Sequence, residues 1–354
     1  MRRPTPSLFE PALILGYALM LLAGLLRHEP WRDEAQAWLI AVESDGLGQV
    51  LARLTSEGHP PGWYLLLWVI SRFTHDPLAM QLVHGTIAIG SVALIALASP
   101  FTRLQKLLLA LSYYSLFEYG MISRAYALGV LGLYGAVALY GRCLKTPRPG
   151  PHAAGIAGLL LLAGSTSVYG FLLAVGLGAG MVCDHELRRR HRSGGQRRLA
   201  WPTLVVGAAG LVLLAGALAW SGTGSGAGAG LRSHLAISPA ATPGVLGNFV
   251  DALLHLPLVF APDFWTNSVL RMAAWPWATG LLAAVAAVWV LAITAALLRR
   301  PAAAVSFGLG VLLMLLFAVA VYRGYYVRHF GHYFILTVVS LWLFAIAQPT
   351  RRLP

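Results

Sequence analysis

Pro61-Gly62-Trp63-Tyr64-Leu65-Leu66-Leu67-Trp68-Val69-Ile70-Ser71-Arg72-Phe73 decides the fold, because it is apolar enough to enter a membrane yet only 13 residues long. A helix rises about 1.5 Å per residue, so this one falls well short of a hydrocarbon core about 30 Å thick, and its Trp and Tyr content suits the membrane interface. It is expected to lie flat on the outer surface. Were it to cross, every later loop would change sides and the Arg-rich segment 188–198 would face outward. The preference for Lys and Arg on the cytoplasmic side argues against that.

Working outward, longer apolar runs cover 8–26, 78–101, 104–123, 126–141, 153–168, 170–183, 201–220, 273–298, 302–321 and 332–348. The expected fold is an all-α polytopic membrane protein of about ten transmembrane helices, one integral domain over 1–354, with amphipathic juxtamembrane helices in the first outer loop. The run 153–182 reads as a hairpin of two short helices, broken at Ser165-Thr166-Ser167-Val168-Tyr169-Gly170, since a single crossing would again expel the Arg cluster. Met1-Arg2-Arg3 and the apolar run to Leu26 read as a retained first helix. With both termini cytoplasmic, Arg103, Lys106, Arg142, Lys145, Arg299, Arg300, Arg351 and Arg352 also fall inside. Two outer loops are then long, 27–77 and 221–272, the second opening on a Gly- and Ser-rich tether.

Composition excludes several classes. Apolar types make up 58% of 354 residues and run on without alternation, unlike the strands of an outer-membrane barrel. The net charge of +13 comes from short basic clusters between apolar runs, so it reads as topology, with no nucleic-acid partner. Cys143 and Cys183, the two cysteines, lie at the ends of apolar segments and indicate neither a disulfide framework nor a thiolate metal site.

With 13 acidic residues in all, the adjacent carboxylates of Trp31-Arg32-Asp33-Glu34-Ala35-Gln36 stand out. Pro30 and Glu29 suit the start of a helix over 30–43. Trp31, Ala35, Trp38, Leu39 and Val42 would form an apolar stripe bedded in the headgroups, with Asp33 about 180° from its centre and Glu34 flanking it. Two readings stand open: first-turn acids that complement the helix dipole, or a carboxylate aimed at a cavity. Farther along, Pro60 and Pro61 stiffen the chain and hold His59 extended, either as an interfacial cap or as a fixed functional ring.

Two more clusters fall at the outer edge. Arg124, in Glu118-Tyr119-Gly120-Met121-Ile122-Ser123-Arg124-Ala125-Tyr126, suits bidentate contact with a phosphate, or else an ion pair with Glu118 or snorkelling to headgroups. Arg328, His329 and His332 lie in the aromatic segment 322–333, with Arg328 and His332 on one helical face. Ionisable groups near a membrane usually face a cavity. His329 and His332 have a metal-compatible spacing, and a divalent metal stays open although no third ligand is evident. An ion pathway would place polar residues at mid-depth of several spans, where Gln81 and His84 are the conspicuous pair.

The Asp33-Glu34 pair, the His59-Pro60-Pro61 segment leading to Tyr64-Leu65-Leu66-Leu67, and Ser123-Arg124-Ala125-Tyr126-Ala127-Leu128 occur in an order that resembles the membrane-embedded glycosyltransferases of the C type. That superfamily includes protein O-mannosyltransferases and aminoarabinose transferases of lipid A. The resemblance covers about the first 185 residues. It implies a polyprenyl-phosphate sugar donor, with Asp33 as catalytic base and Glu34 as its supporting neighbour. Arg124, Tyr126 and His59 would bind the donor, joined by Arg328, His329 and His332 from the last hairpin. The turn at 165–170 carries no His, unlike many bacterial relatives. Acceptor recognition is expected to fall to the loops, including 221–272.

The expected function is transfer of a sugar to the hydroxyl of a glycan, lipid or protein acceptor at the periplasmic face of a bacterial inner membrane, with membrane lipid as surroundings and no cofactor. A flippase for lipid-linked sugars and an inactive scaffold of a polysaccharide assembly complex are the alternatives.

Overall fold

In lipid a run of Leu, Ala, Val and Gly satisfies its backbone groups within its own helix, and all regular structure among the described residues is helical. The computed structural model describes residues 8–54, 57, 59–145, 150–191, 276–320 and 327–347. Helix α1 (Phe9–Leu25) leads into the short helices α2 (Arg32–Val42), α3 (Leu47–Leu54) and α4 (Gly62–Ser71). Then come α5 (Leu78–Ala98), α6 (Arg103–Ala110), α7 (Ala125–Cys143), α8 (Gly150–Gly164) and α9 (Val168–His191). The last described helices are α10 (Pro276–Leu297), α11 (Pro301–Ala320) and α12 (Val327–Ile346).

Among the described residues, Leu78–Ala98, Val168–Arg188 and Pro301–Ala318 are long and apolar enough to cross a membrane, while α1, α4 and parts of α8, α10 and α12 are apolar but shorter. These helices suggest a membrane protein. The expected span 201–220, the outer loop 221–272 and residues 322–326 lie outside the described residues. The hairpin break falls where the sequence places it: the Ser167 hydroxyl accepts from the Gly170 amide at 2.9 Å and so caps α9. Helix α9 then runs to His191, beyond the expected end at 183.

Segment 104–123, expected as one span, is broken. Helix α6 ends at Ala110, and a π-helical turn occupies Tyr114–Glu118. The Ser112 hydroxyl donates to the Leu109 carbonyl (2.9 Å) and accepts from the Ser115 amide (3.3 Å), giving the backbone an alternative to the helical ladder. The Tyr119 amide then bonds the Tyr114 carbonyl at 2.8 Å, five residues back, and widens the turn.

The core lies between α7, α9, α11 and α12, where Leu173, Leu177, Phe307, Leu336 and Trp342 are at most 1% exposed. Helices α9 and α11 meet through small residues. A Cβ on Gly176 would stand 2.9 Å from the Ser306 carbonyl oxygen, and one on Gly180 would stand 2.5 Å from that of Ala302. At one end of this layer the buried Asp184 accepts from the Tyr140 hydroxyl (2.6 Å) and from Arg188 Nε (2.7 Å), while Arg188 Nη2 donates to the Ile346 carbonyl (2.8 Å). The buried charge is thereby paired and three helices are tied together.

Helix α2 divides the expected stripe, with Trp38 buried against the protein and Leu39 outward. Glu34, Ala37, Trp38, Ile40 and Ala41 are buried, whereas Leu39 is 51% exposed. Helix α2 packs against α4, and two contacts fix the pairing: Trp38 Nε1 donates to the His75 carbonyl (3.1 Å) and Ser71 Oγ donates to that of Ala41 (3.2 Å). A buried carboxylate must find donors, and those of Glu34 lie on the inner side, so the helix is rotated toward them. Helix α4 has 10 residues and is about 15 Å long, half the thickness of a hydrocarbon core.

Candidate functional site

Asp33 sits in the first turn of α2, Arg124 is the residue immediately before α7, and Arg328 lies in the first turn of α12. The fold brings all three together. Asp33 Oδ2 is 2.9 Å from Arg124 Nη2 and 3.4 Å from Arg328 Nη2, so one carboxylate bridges two guanidinium groups from distant helices. The side chains of Arg124 and Arg328 are 11% and 13% exposed and that of Asp33 28%, so the acid is the most open of the three. Trp31 backs both arginines, with its ring centre 5.1 Å from Arg328 Cζ and 6.0 Å from Arg124 Cζ, and Tyr126 lies 5.2 Å from Arg124 Cζ. Such contacts hold a cation in place without neutralising it.

Beside this cluster is a half-open cleft with about 330 Å³ of empty space, counting that which opens to solvent, bounded by Asp33, His59, Trp63, Tyr64, Ser123 and Arg124. Three of its donors, Arg124 Nη1, Ser123 Oγ and Trp63 Nε1, are buried with no hydrogen-bond partner among the described residues. Unmet buried donors are costly. An anion in the cleft would meet them, beside the two arginines that already share the Asp33 carboxylate.

His59 reaches the cleft because the turn after α8 anchors the segment behind it. The Gly62 amide donates to the Ser165 carbonyl at 2.8 Å, and a Cβ on Gly62 would lie 2.4 Å from Ser165 Oγ. Desolvation, reinforced by Arg124, pushes the His59 imidazole down to about 4. In that form His59 offers a phosphate one N–H, as a neutral imidazole does.

His329 and His332 stand behind Arg328. Both rings stack on Tyr169, each at 5.0 Å between centres, and Tyr126 meets them edge-on. His332 Nδ1 lies 3.0 Å from the His329 carbonyl and 3.2 Å from the Tyr119 hydroxyl, which itself donates to the Arg328 carbonyl at 2.8 Å. That pattern places the proton on Nδ1 and leaves Nε2 as an acceptor. Arg328, His329 and His332 lie together beside the cleft, outside the residues that bound it. Among the described residues, no three His, Cys, Asp or Glu side chains gather as a metal site would need.

No protein-family model, curated protein or solved structure matches this chain.

Glu34, expected beside Asp33 as a catalytic partner, does not line the cleft. It is fully buried and accepts three hydrogen bonds, from His28 Nε2 (2.8 Å), the Trp31 amide (2.8 Å) and the Ser123 amide (2.5 Å). A carboxylate has about four acceptor positions, so little of its capacity is left for a substrate. Sequence reasoning assigned Trp31 to a lipid-facing stripe, read past Trp63, Ser123 and Tyr119, and passed over Tyr169 for want of a His in its turn. The signal it held for Trp31 was adjacency to Asp33. Tyr169 had none, since its partners His329 and His332 are remote in the chain.

Proposed function

We propose that this chain is a glycosyltransferase that moves a sugar from a polyprenyl-phosphate donor to an acceptor hydroxyl at the outer face of the bacterial inner membrane. The observation that carries the reading is the Asp33 carboxylate held between Arg124 and Arg328 next to three buried donors that lack partners. On this reading the expected segments, with 104–123 crossing as a broken one, are spans of a fold like that of the C-type glycosyltransferases, both termini are cytoplasmic, and α2 to α4 rest on the outer surface.

The two guanidinium groups occupy the Asp33 carboxylate. A phosphate entering the cleft gives the arginines a bidentate partner and meets the open Nη1 of Arg124, which releases Asp33. The acceptor hydroxyl then gives its proton to Asp33 while its oxygen bonds to the anomeric carbon. The bond from that carbon to the phosphate oxygen breaks, and its electron pair leaves with the lipid phosphate, whose charge grows from −1 to −2. Arg124 and Arg328 neutralise the growing charge, and their burial strengthens the effect. Water later takes the proton from Asp33.

The test is transfer from short-chain polyprenyl-phosphate monosaccharides by the purified protein and by Asp33→Asn. The expected result is transfer by the wild type and transfer about 10² to 10⁴ slower by the variant, with both bound to donor. Equal transfer by the two would remove Asp33 from the chemistry, and movement of the donor across proteoliposomes that ignores Asp33 would favour the flippase.

A further inference from the structure

The buried Glu34 carboxylate is larger in its connections than a helix cap requires. A cap is complete with the bond from the Trp31 amide, yet Glu34 also accepts from Ser123, the residue before Arg124, and from His28 at the end of α1. One carboxylate therefore joins the helix that carries Asp33 and Trp31 to the turn that carries Arg124. His28 is fixed at both ends, since Gln81 Nε2 from α5 donates to its carbonyl at 2.8 Å. His84, one helical turn farther on, lies beside the Gly120 and Arg124 backbone without a hydrogen bond of good geometry. The His28 ring is 22% exposed, so water can deliver a proton to it.

We propose that Glu34, held by His28 and Gln81, is the positioning residue that sets Arg124 against Asp33, and that protonation of His28 tightens this hold. The inference rests on the anion-binding reading of the cleft. The hydrogen bond to Glu34 raises the His28 imidazole above its ordinary 6.5, burial opposes the shift, and the Glu34 charge adds to it. A raised imidazole keeps its charged bond below the ordinary value and loses it as pH rises through the raised one. The titratable groups facing His28 are Glu34 from α2 and His84 from α5, and the same two imidazoles face Glu34. Arg27 and Glu29, its neighbours in the chain, are exposed.

The experiment measures binding of farnesyl methyl phosphate to the full-length protein in detergent from about pH 6 to about pH 9, with histidine ¹⁵N spectra recorded alongside. This diester keeps a constant charge over the range. Affinity should fall about fivefold as His28 titrates, the difference between a charge-assisted and a neutral hydrogen bond. The profile should be flat in His28→Asn, which keeps a donor without a titration, and in Glu34→Gln, where the His28 midpoint should return toward 6.5. Binding by the wild type with no pH dependence while His28 titrates, or the same dependence in His28→Asn, overturns the inference and leaves the reading of the cleft intact. If Glu34→Gln does not fold, the wild type and His28→Asn decide. No binding by the wild type at any pH overturns the reading of the cleft and this inference with it.

Discussion

The Tyr119 hydroxyl donates to the Arg328 carbonyl at 2.8 Å, joining positions 209 residues apart. The bond holds the first turn of α12 against the turn that follows the π-helical segment, and so sets the position from which Arg328 meets Asp33. Tyr119→Phe keeps the ring and removes the donor. The variant should lose about 1 to 2 kcal/mol of stability, as for one buried hydrogen bond, and bind a prenyl phosphodiester more weakly. Thermal unfolding in detergent and a binding isotherm check both, and an unchanged isotherm would mean that this bond does not set the arginine.

Asp33 competes with any anion for two guanidinium groups. Asp33→Asn should therefore bind a phosphodiester more tightly, by about 1 kcal/mol, the upper end for a partly exposed pair. Its transfer rate should fall by about 10² to 10⁴, as for loss of a general base. Tighter binding with lost transfer separates a base from a binding residue, whereas a fall in both would make Asp33 a contact to the ligand.

Gly62 faces Ser165 with no space for a side chain, because a Cβ there would lie 2.4 Å from Ser165 Oγ and 2.7 Å from the Ser165 carbonyl oxygen. Gly62→Ala should cost about 1 to 3 kcal/mol by overpacking and displace His59 from the cleft. Gly16→Ala is the control, since nothing lies within 4 Å of a Cβ at that position in α1. Comparable losses in the two variants would contradict the close approach.

His59 is pushed down to about 4 in the folded protein, while an unfolded chain titrates near 6.5. Between those values the unfolded state binds more protons, so stability should fall as pH drops from about 6.5 to about 4. The slope is at most about 1.4 kcal/mol per pH unit, and less for a half-buried ring. His59→Gln should remove the His59 share and make this part of the curve shallower in urea titrations at several pH values. A slope equal to that of the wild type would place the titration elsewhere.

Much of the helical layout could be read in the chain, and for local reasons. Residues 61–73 were too short to span, and α4 is indeed a short helix. Serines at 165 and 167 broke the run at 153–182 because their hydroxyls offer the backbone local partners. Ser112 does the same within 104–123, and there the apolar composition of the run hid the break. The candidate site was legible as a set of residue types near helix ends. Its internal division of labour was not: Asp33 and Glu34 are neighbours in one helix, yet one borders a cleft and the other is buried behind it.

By itself the sequence determined that the chain is helical, where the hairpin at 165–170 turns and which ionisable groups lie near helix ends, because those outcomes depend on residues a few positions apart. Only the tertiary structure decided which side of α2 is buried, that burial pushes the His59 imidazole down, and that Asp33 meets both Arg124 and Arg328. Turning a helix about its axis changes none of its own hydrogen bonds, and the cost of burying a charge is set by groups that the fold, not the chain order, brings alongside it.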